Sequence, residues 1–525
     1  MALVLPYRAW GRRAKAAVLP RWPLAPLIFG AGFVVVLLVR FGDLLGQAAL
    51  HADSVSAPVI GELLGPSQGR DVILGNFAWY QQLWFELATR WVPGHRQLWE
   101  AFPYLLALIG IALTAWSAWK VAGRWAATIT GVLLLCAGAP LLDNLFQGTT
   151  HAPTSFQIAV LGAALVWMAR GGVRVWFVVV VGVISAAGLA DPLFVLAGLI
   201  PLMLAGAAAW PAGRRDLTAA AAAIAVIAVG LGLVLGAIMT GAGYRVYPYH
   251  PIFAQFEQLW TNTRLALQGY LLMNGGDFWG RPIAKRGAFA VLCALILVGG
   301  LVLAWRAVRA GATNWRALDV PYVVYGIFWA SCATIAFGAY IGTTVPYDVF
   351  TFRYIVPGWF AVAALVPLAG SLGRWIAPAV TAGVCVLAFG AAVALARGDA
   401  TTPASNWPER PLQAQLEAAL KPFGVTKGYA AYWDAAPITW GTHLRLQVFP
   451  VHRCDNASPV LCRFDFHNVG SWYRPAPGRS FLIVDPTNAD MVGGPDPAAG
   501  MPLRQLTVGR LQVYVYRDDI AAHIR

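Results

Sequence analysis

Long apolar runs recur along the first three quarters of the chain, separated by shorter polar connections. A run of roughly 17–25 apolar residues is long enough to cross the hydrocarbon core of a bilayer as a helix. The pattern predicts about eleven transmembrane helices within residues 1–396. The predicted helices are near 24–46, 101–119, 125–142, 155–170, 174–190, 192–210, 217–241, 287–305, 320–342, 355–372 and 375–396.

The pattern changes after the last apolar run. Residues 397–525 begin with a proline-containing linker and a helix-like stretch, PLQAQLEAALKPFG. Three strand-like stretches follow: HLRLQVFPV, SFLIVD and RLQVYVYR. Short runs rich in β-branched and aromatic residues, bounded by turn residues, are typical of strands. The sequence therefore predicts a transmembrane domain at 1–396 and a small α/β domain at 397–525.

Composition supports a membrane protein. Of the 525 residues, 58% are hydrophobic and only 12% are charged, and the mean hydropathy is +0.61. A soluble domain carries about 25% charged residues. The net charge of +14 would point to nucleic acid in a soluble protein. No zinc-finger spacing or nucleic-acid recognition motif supports that, so the expected partner is the lipid bilayer and not nucleic acid.

Basic residues concentrate in alternate connections, and this predicts the topology. The positive-inside rule puts such connections in the cytoplasm. The N-terminus is then cytoplasmic, and an odd number of helices leaves the C-terminal domain extracytoplasmic, at the inner (plasma) membrane of a bacterium. Long connections near 47–100 and 242–286 face outward, and GNFAWYQQLWFELATRW in the first predicts an interfacial helix. The basic residues are Lys120, Arg124, Arg170, Arg174, Arg214, Arg215, Arg306, Arg309, Arg316 and Arg374.

Two of the six cysteines lie in the polar C-terminal segment. Cys454 and Cys462 flank a short stretch in HRCDNASPVLCRF. A pair that closes so short a loop predicts a disulfide, which requires an oxidising compartment. The alternative is two free thiols in a cytosolic tail. A disulfide agrees with an extracytoplasmic domain.

Acidic residues at the outer membrane boundary are the first candidates for chemistry. Asp53 directly follows the first apolar run, and Asp143 lies at the outer end of the third. Two carboxylates from separate outer loops fit a general base for an acceptor hydroxyl and a partner that orients the acceptor or holds Mg or Mn. The simpler alternatives are a solvated Asp53 and a capping Asp143.

Two further acids have simple structural explanations. Asp191 precedes Pro192, which predicts a helix N-cap followed by proline at the first helical position. Asp348 is either a turn residue or an ion partner for Arg353. His51 and His151 are either interfacial polar residues or ligands, so the sequence leaves a metal site open.

Cations on the outer face are candidates for binding phosphate. Arg353 lies in TFRYIVPG at the start of a predicted span. A guanidinium at headgroup depth is suited to bidentate binding of a phosphate, and the alternative is a snorkelling anchor. The further candidates are Arg264 and Arg245 for the phosphate, and His151, His250, Tyr249 and Tyr354 for the rest of the substrate.

This arrangement resembles the GT-C glycosyltransferases. An acid in the first outer loop, a second in the next, and about eleven spans before a soluble outer domain are similar to that superfamily. RYIVP (residues 353–357) resembles the RYLxP-type motif of its protein-mannosyltransferase and aminoarabinose-transferase members. HADS lacks the Asp-Glu pair of the protein mannosyltransferases, and no WWDYG-like motif of oligosaccharyltransferases is present.

The resemblance implies a function and roles for residues. The donor would be a polyprenyl-phosphate-linked sugar, and the acceptor an envelope glycan or glycolipid on the outer face. Asp53 would be the base, Asp143 its acidic partner, and Arg353 the ligand of the donor phosphate. Transfer by single displacement would invert the anomeric centre. The alternatives are a transporter or flippase of a lipid-linked saccharide and a non-catalytic scaffold for glycan assembly.

Overall fold

The computed structural model describes most of the chain. The described ranges are 24–48, 50–64, 71–75, 96–146, 151–247, 251–276, 319–371, 376–397, 410–454, 460–488 and 495–525, with isolated positions between 291 and 302. The helices before the linker are α1 (Leu24–Ala48), α2 (Ala52–Leu63), α3 (Arg96–Ala122), α4 (Arg124–Leu135), α5 (Ala139–Phe146), α6 (Ala152–Gly171), α7 (Val175–Ala186), α8 (Pro192–Ala209), α9 (Arg215–Gly241), α10 (Phe256–Met273), α11 (Val320–Ile341), α12 (Val356–Leu365) and α13 (Ile376–Ala396).

Seven helices in the described ranges are long and apolar enough to cross a membrane. They are Leu24–Gln47, Gln97–Ala122, Pro192–Ala209, Arg215–Gly241, Val320–Ile341, Val349–Leu368 and Ile376–Ala396. The bent pair α4–α5 raises the number to eight, and Val175–Ala190 is a shorter apolar helix. Most of the predicted span at 287–305 lies outside the described residues. The chain is a helical multi-pass membrane protein, and the count of about eleven stays a prediction.

The predicted span at 125–142 is broken. The axes of Arg124–Leu135 and Pro140–Phe146 differ by 87°. Pro140 has no N–H to continue the helical hydrogen bonds, and the Gly138 N–H instead donates to the Met273 carbonyl at 2.8 Å. A Cβ on Gly138 would lie only 2.5 Å from a backbone nitrogen of the same neighbouring segment. Close packing and proline together redirect the chain, so Asp143 lies on the short α5 instead of ending a straight helix.

The C-terminal part folds around one mixed sheet. Its strand order is β5-β4-β3-β7-β9-β8, with the parallel strands β4, β3 and β7 in the centre and antiparallel strands at the edges. The predicted helix and all three predicted strands are present. The elements are α14 (Arg410–Leu420), β3 (Lys427–Ala430), α15 (Tyr432–Gly441), β4 (Gln447–Arg453), β5 (Leu461–Arg463), β7 (Ser480–Val484), β8 (Arg504–Val508) and β9 (Leu511–Tyr516).

A second, small sheet joins the two long connections that were predicted to face outward to this domain. β1 (Val72–Leu74) pairs in parallel with β2 (Tyr244–Val246) and antiparallel with β6 (Asn468–Val469). The Gly470 N–H extends the pairing by donating to the Asp71 carbonyl at 2.8 Å. Apolar side chains from all three segments share one core, which also includes Ile60 of α2. The C-terminal domain is therefore fixed against the segments that follow α2 and α9.

Cys454 and Cys462 form a disulfide, with 4.9 Å between their Cα atoms. The bond links the residue that follows β4 to β5, the strand that pairs antiparallel with β4. Replacing both cysteines with serine is expected to lower stability by about 2–3 kcal/mol, because closing a loop of this length restricts the unfolded chain. The melting temperature of the purified protein with and without the pair measures this. Cys385→Ser, which removes a free thiol, serves as the control, and an unchanged melting temperature in the double variant would contradict the expectation.

Candidate functional site

Three distant parts of the chain meet at Asp53. This residue lies in the first turn of α2 and is only 7% exposed. Its Oδ2 lies 3.6 Å from Nη1 of Arg353, which is on the 3₁₀ turn before α12. Its Oδ1 accepts a hydrogen bond of 2.7 Å from the Tyr432 hydroxyl at the start of α15. A buried carboxylate with a guanidinium and a hydroxyl donor is thus formed where α2, α12 and the C-terminal domain meet.

The turn that presents Arg353 is fixed by its own cap. Asp348 caps the turn Val349–Ile355, and its Oδ1 accepts the Thr351 N–H at 3.0 Å. Asp348 therefore has the turn role, while the carboxylate paired with Arg353 is that of Asp53. The side chain of Arg353 is 20% exposed, and its guanidinium carbon lies 5.5 Å from the ring centre of Tyr354. The cation is held at the edge of the site and not free in solvent.

His51 contacts Asp53 through the backbone N–H of Asp53. It caps α2, and its Nδ1 accepts the Asp53 N–H at 3.2 Å. An accepting Nδ1 carries no proton. Burial lowers the pKa of His51 to about 4, against the opposing charge of Asp53. Burial likewise lowers the pKa of His467 to about 4. Both imidazoles next to the carboxylate are therefore neutral at pH 7.

The Asp53 carboxylate is ionised in this setting. Burial alone would raise its pKa, but the electrostatic attraction of the neighbouring His51 and Arg353, with the Tyr432 hydrogen bond, lowers the pKa below the ordinary value. With His51 neutral at pH 7, Arg353 and Tyr432 are the groups that hold the negative charge. An ionised carboxylate is able to accept a proton from a bound hydroxyl.

A second polar cluster adjoins the first through Tyr354. His151 Nδ1 and Asp191 Oδ2 are 2.6 Å apart, and the Thr154 hydroxyl donates to the same carboxylate. Asp191 is also the predicted N-cap, since its Oδ1 accepts the Leu193 N–H at 2.9 Å. The rings of His151 and Tyr354 lie 4.5 Å apart between their centres. Two of the predicted substrate-binding residues thus lie together, next to Arg353.

Three of the other predicted site residues lie on three different elements. Asp143 is buried on α5, which packs against α3 and α10. Arg245 on β2 is exposed and lies 3.8 Å from Asp71, and Arg264 is exposed on α10. Tyr249 and His250 lie outside the described residues, as does the predicted interfacial helix. The roles given to these residues stay predictions.

Three features of the candidate site were not predicted from the sequence. They are Tyr432, His467 and the pairing of His151 with Asp191. GYAAYWDAAPITWG was recognisable as aromatic and polar, but nothing in it indicates contact with a residue almost four hundred positions earlier. No group of three or more His, Cys, Asp or Glu within the described ranges is arranged to hold a metal ion. The possible Mg or Mn site stays a prediction.

The fold is similar to that of a solved protein, ArnT. No protein-family model matches the sequence, and no curated protein matches it significantly. The structure matches ArnT from Cupriavidus metallidurans in the apo state with a TM-score of 0.52 at 12% identity, over 92% of this chain and 98% of that one. It matches ArnT from the same organism bound to undecaprenyl phosphate with a TM-score of 0.52 at 14% identity, over 92% and 97%. The chain therefore has an ArnT-like fold.

The two buried histidines make stability depend on pH. Their pKa values of about 4 lie below the 6.5 of an unfolded imidazole. Between pH 6.5 and 4 the unfolded chain binds more protons, so stability is lost as the pH falls through this window. Each histidine is expected to lower the free energy of unfolding by about 2 kcal/mol at about pH 5 relative to neutral pH.

Melting curves at about pH 7.5 and pH 5 measure this effect. His467→Asn removes one titrating group while tolerating the positive φ of 47° at this position. The variant is expected to show a smaller loss of melting temperature at the lower pH than the wild type. His523→Asn, at an exposed position, should keep the full loss. Equal losses of melting temperature in the wild type and His467→Asn would refute the lowered pKa of His467.

Proposed function

We propose that this chain is an inverting glycosyltransferase. It moves a sugar from a polyprenyl-phosphate donor to an envelope glycan or glycolipid on the outer face of the membrane. The observation that carries the proposal is the buried Asp53 carboxylate, 3.6 Å from the Arg353 guanidinium at the junction of helices and C-terminal domain. The likeness in fold to ArnT bound to undecaprenyl phosphate supports a polyprenyl carrier.

Each group has one task in the proposed reaction. The acceptor oxygen attacks the anomeric carbon as its proton passes to Oδ2 of Asp53, and a new C–O bond forms. The bond between the anomeric carbon and the phosphate oxygen breaks, and the electron pair leaves with the polyprenyl phosphate. Attack opposite the leaving group inverts the anomeric centre. Arg353 stabilises the phosphate as its negative charge increases.

Burial makes this arrangement effective. A charge interaction is stronger where water is excluded, and the site residues need little reorganisation when charge develops. The Asp53–Arg353 separation of 3.6 Å is longer than a direct hydrogen bond, so the guanidinium can turn toward a phosphate without losing a strong bond. His151, held by Asp191, and Tyr354 lie beside Arg353 and serve to bind the donor.

The proposal includes a topology and further roles. The protein lies in the bacterial inner membrane, with residues 1–396 as the transmembrane domain, a cytoplasmic N-terminus and residues 397–525 outside. Asp143 assists on the acceptor side. Arg264, Arg245, Tyr249 and His250 extend the donor site along the outer connection near 242–286.

Transfer with purified protein tests the function. The protein in nanodiscs receives a panel of polyprenyl-phosphate sugars, each with a radiolabelled sugar, and a membrane-lipid extract as acceptor. The expected result is a labelled glycan or glycolipid from one donor, with release of polyprenyl phosphate. Saturable binding of a donor with no transfer to any acceptor would contradict the proposal and favour a transporter or scaffold.

A further inference from the structure

We propose that Tyr432 of the C-terminal domain is a positioning residue for Asp53. Its hydroxyl fixes Oδ1, so that Oδ2 faces Arg353 and receives the acceptor proton. This inference rests on the proposed function, since it assigns a role within the same reaction. It makes the C-terminal domain part of the active site and not only an appended module.

The Tyr432 ring is buried among other aromatic side chains. Tyr432 is 3% exposed, and its oxygen lies 2.7 Å from Oδ1 of Asp53. Its ring is stacked on Phe464 with 4.9 Å between ring centres, and the rings of Trp433 and Phe466 lie at steep angles to it, with centres 5.1 and 5.6 Å away. This packing restricts the position of the hydroxyl and, through the hydrogen bond, the orientation of the carboxylate that accepts from it.

The helix that carries Tyr432 is attached to the transmembrane part along its length. Val55 and Val59 of α2 share an apolar cluster with Ala436 and Trp440 of α15. At the far end of α15, the indole N–H of Trp440 donates to Glu100 of α3 at 2.6 Å. The contact between Tyr432 and Asp53 is therefore supported by docking of the whole helix.

Tyr432 stays protonated: its hydroxyl donates to Asp53 at 2.7 Å, while its oxygen accepts a longer hydrogen bond of 3.5 Å from the Ser56 hydroxyl. Burial and the adjacent Asp53 charge raise its pKa well above 10. A hydrogen bond to the ionised carboxylate favours that form, and its loss raises the carboxylate pKa. Among the residues that the structure describes, the titratable and charged groups around Asp53 include His51, Arg353, Tyr432, His467, Tyr347 and Tyr354. Among them, Tyr432 donates a hydrogen bond to Oδ1 from the C-terminal domain.

The test compares two tyrosine variants. Tyr432→Phe is expected to lower kcat about tenfold or more, with the donor KM within about threefold, because a hydrogen bond to a charged group is lost. The acidic limb of the pH–rate profile should move to higher pH. Tyr429→Phe is the matched control, because the buried Tyr429 also donates to a carboxylate of the same domain, Asp519, at 2.9 Å. The control should keep the wild-type kcat and pH profile.

A second measurement does not need turnover. Infrared titration of the Asp53 carboxyl, taken as the difference between each protein and its Asp53→Asn version, should give a higher pKa with Tyr432→Phe than with wild type. An unshifted titration and an unchanged acidic limb, in a variant with wild-type melting temperature, would overturn the role of Tyr432. If the titration shifts but the wild type transfers no sugar, the effect of Tyr432 on Asp53 would be supported and the proposed function would be refuted instead.

Discussion

Replacing Asp53 with asparagine is expected to lower the rate of sugar transfer by about 10³-fold, within the range that a positioned general base contributes. Asparagine has nearly the same shape, and its side-chain oxygen can still accept the hydroxyl of Tyr432. The variant therefore removes the proton acceptor while the surrounding packing is kept. Single-turnover transfer at saturating donor measures the loss.

The control for this variant is Asp216→Asn. Asp216 is also paired with an arginine, Arg214, at 2.9 Å, but it is partly exposed at the start of α9. Because this pair lies in a connection predicted to be cytoplasmic, transfer should stay within about twofold of wild type, as for most surface changes away from a site. If Asp53→Asn retained wild-type transfer, the base would be another residue, with Asp143 the next candidate.

Replacing Arg353 with lysine is expected to lower transfer by about 10²-fold, comparable to the loss of one preorganised donor for a developing negative charge. Lysine keeps the charge but loses the planar pair of N–H groups that binds two phosphate oxygens together. It also lacks the reach that puts Nη1 3.6 Å from Asp53. The expected change is mainly in kcat, with a smaller rise in the donor KM.

Arg510→Lys provides the matched comparison. Arg510 donates to a buried carboxylate, Asp485, at 2.7 Å, in the C-terminal domain and outside the proposed site. Arg510→Lys is expected to lower the stability of the protein without lowering kcat. Equal kcat losses for the two variants would mean that Arg353 acts through folding, and its role at the phosphate would then be wrong.

Local sequence signals predicted much of the fold and indicated two residues of the candidate site, Asp53 and Arg353. The apolar runs are long enough to be recognised one by one, and the strands of the C-terminal domain have regular patterns. Asp53 stood out because a carboxylate directly after a membrane span is costly unless it has a use. Arg353 stood out because it opens a span within RYIVP. Both residues meet in the structure at 3.6 Å.

Features that depend on contacts between distant segments were not predictable in this way. The sheet of β1, β2 and β6 uses strands of two or three residues, too short to show an alternating pattern. The break between α4 and α5 depends on packing against residues 273–275, although Pro140 marks its place. Tyr432 is an ordinary aromatic residue at a helix start until the domain is docked on α2.

The fate of the sugar–phosphate bond tests the central claim most directly. A donor labelled separately in its sugar and in its phosphate is given to the protein in nanodiscs with acceptor. Wild type should separate the two labels, with sugar in the acceptor and an equal amount of phosphate on the released polyprenyl carrier, while Asp53→Asn should leave them joined. Labels that stay joined in the wild type, on a donor that moves between leaflets in vesicles, would contradict glycosyl transfer and identify a transporter.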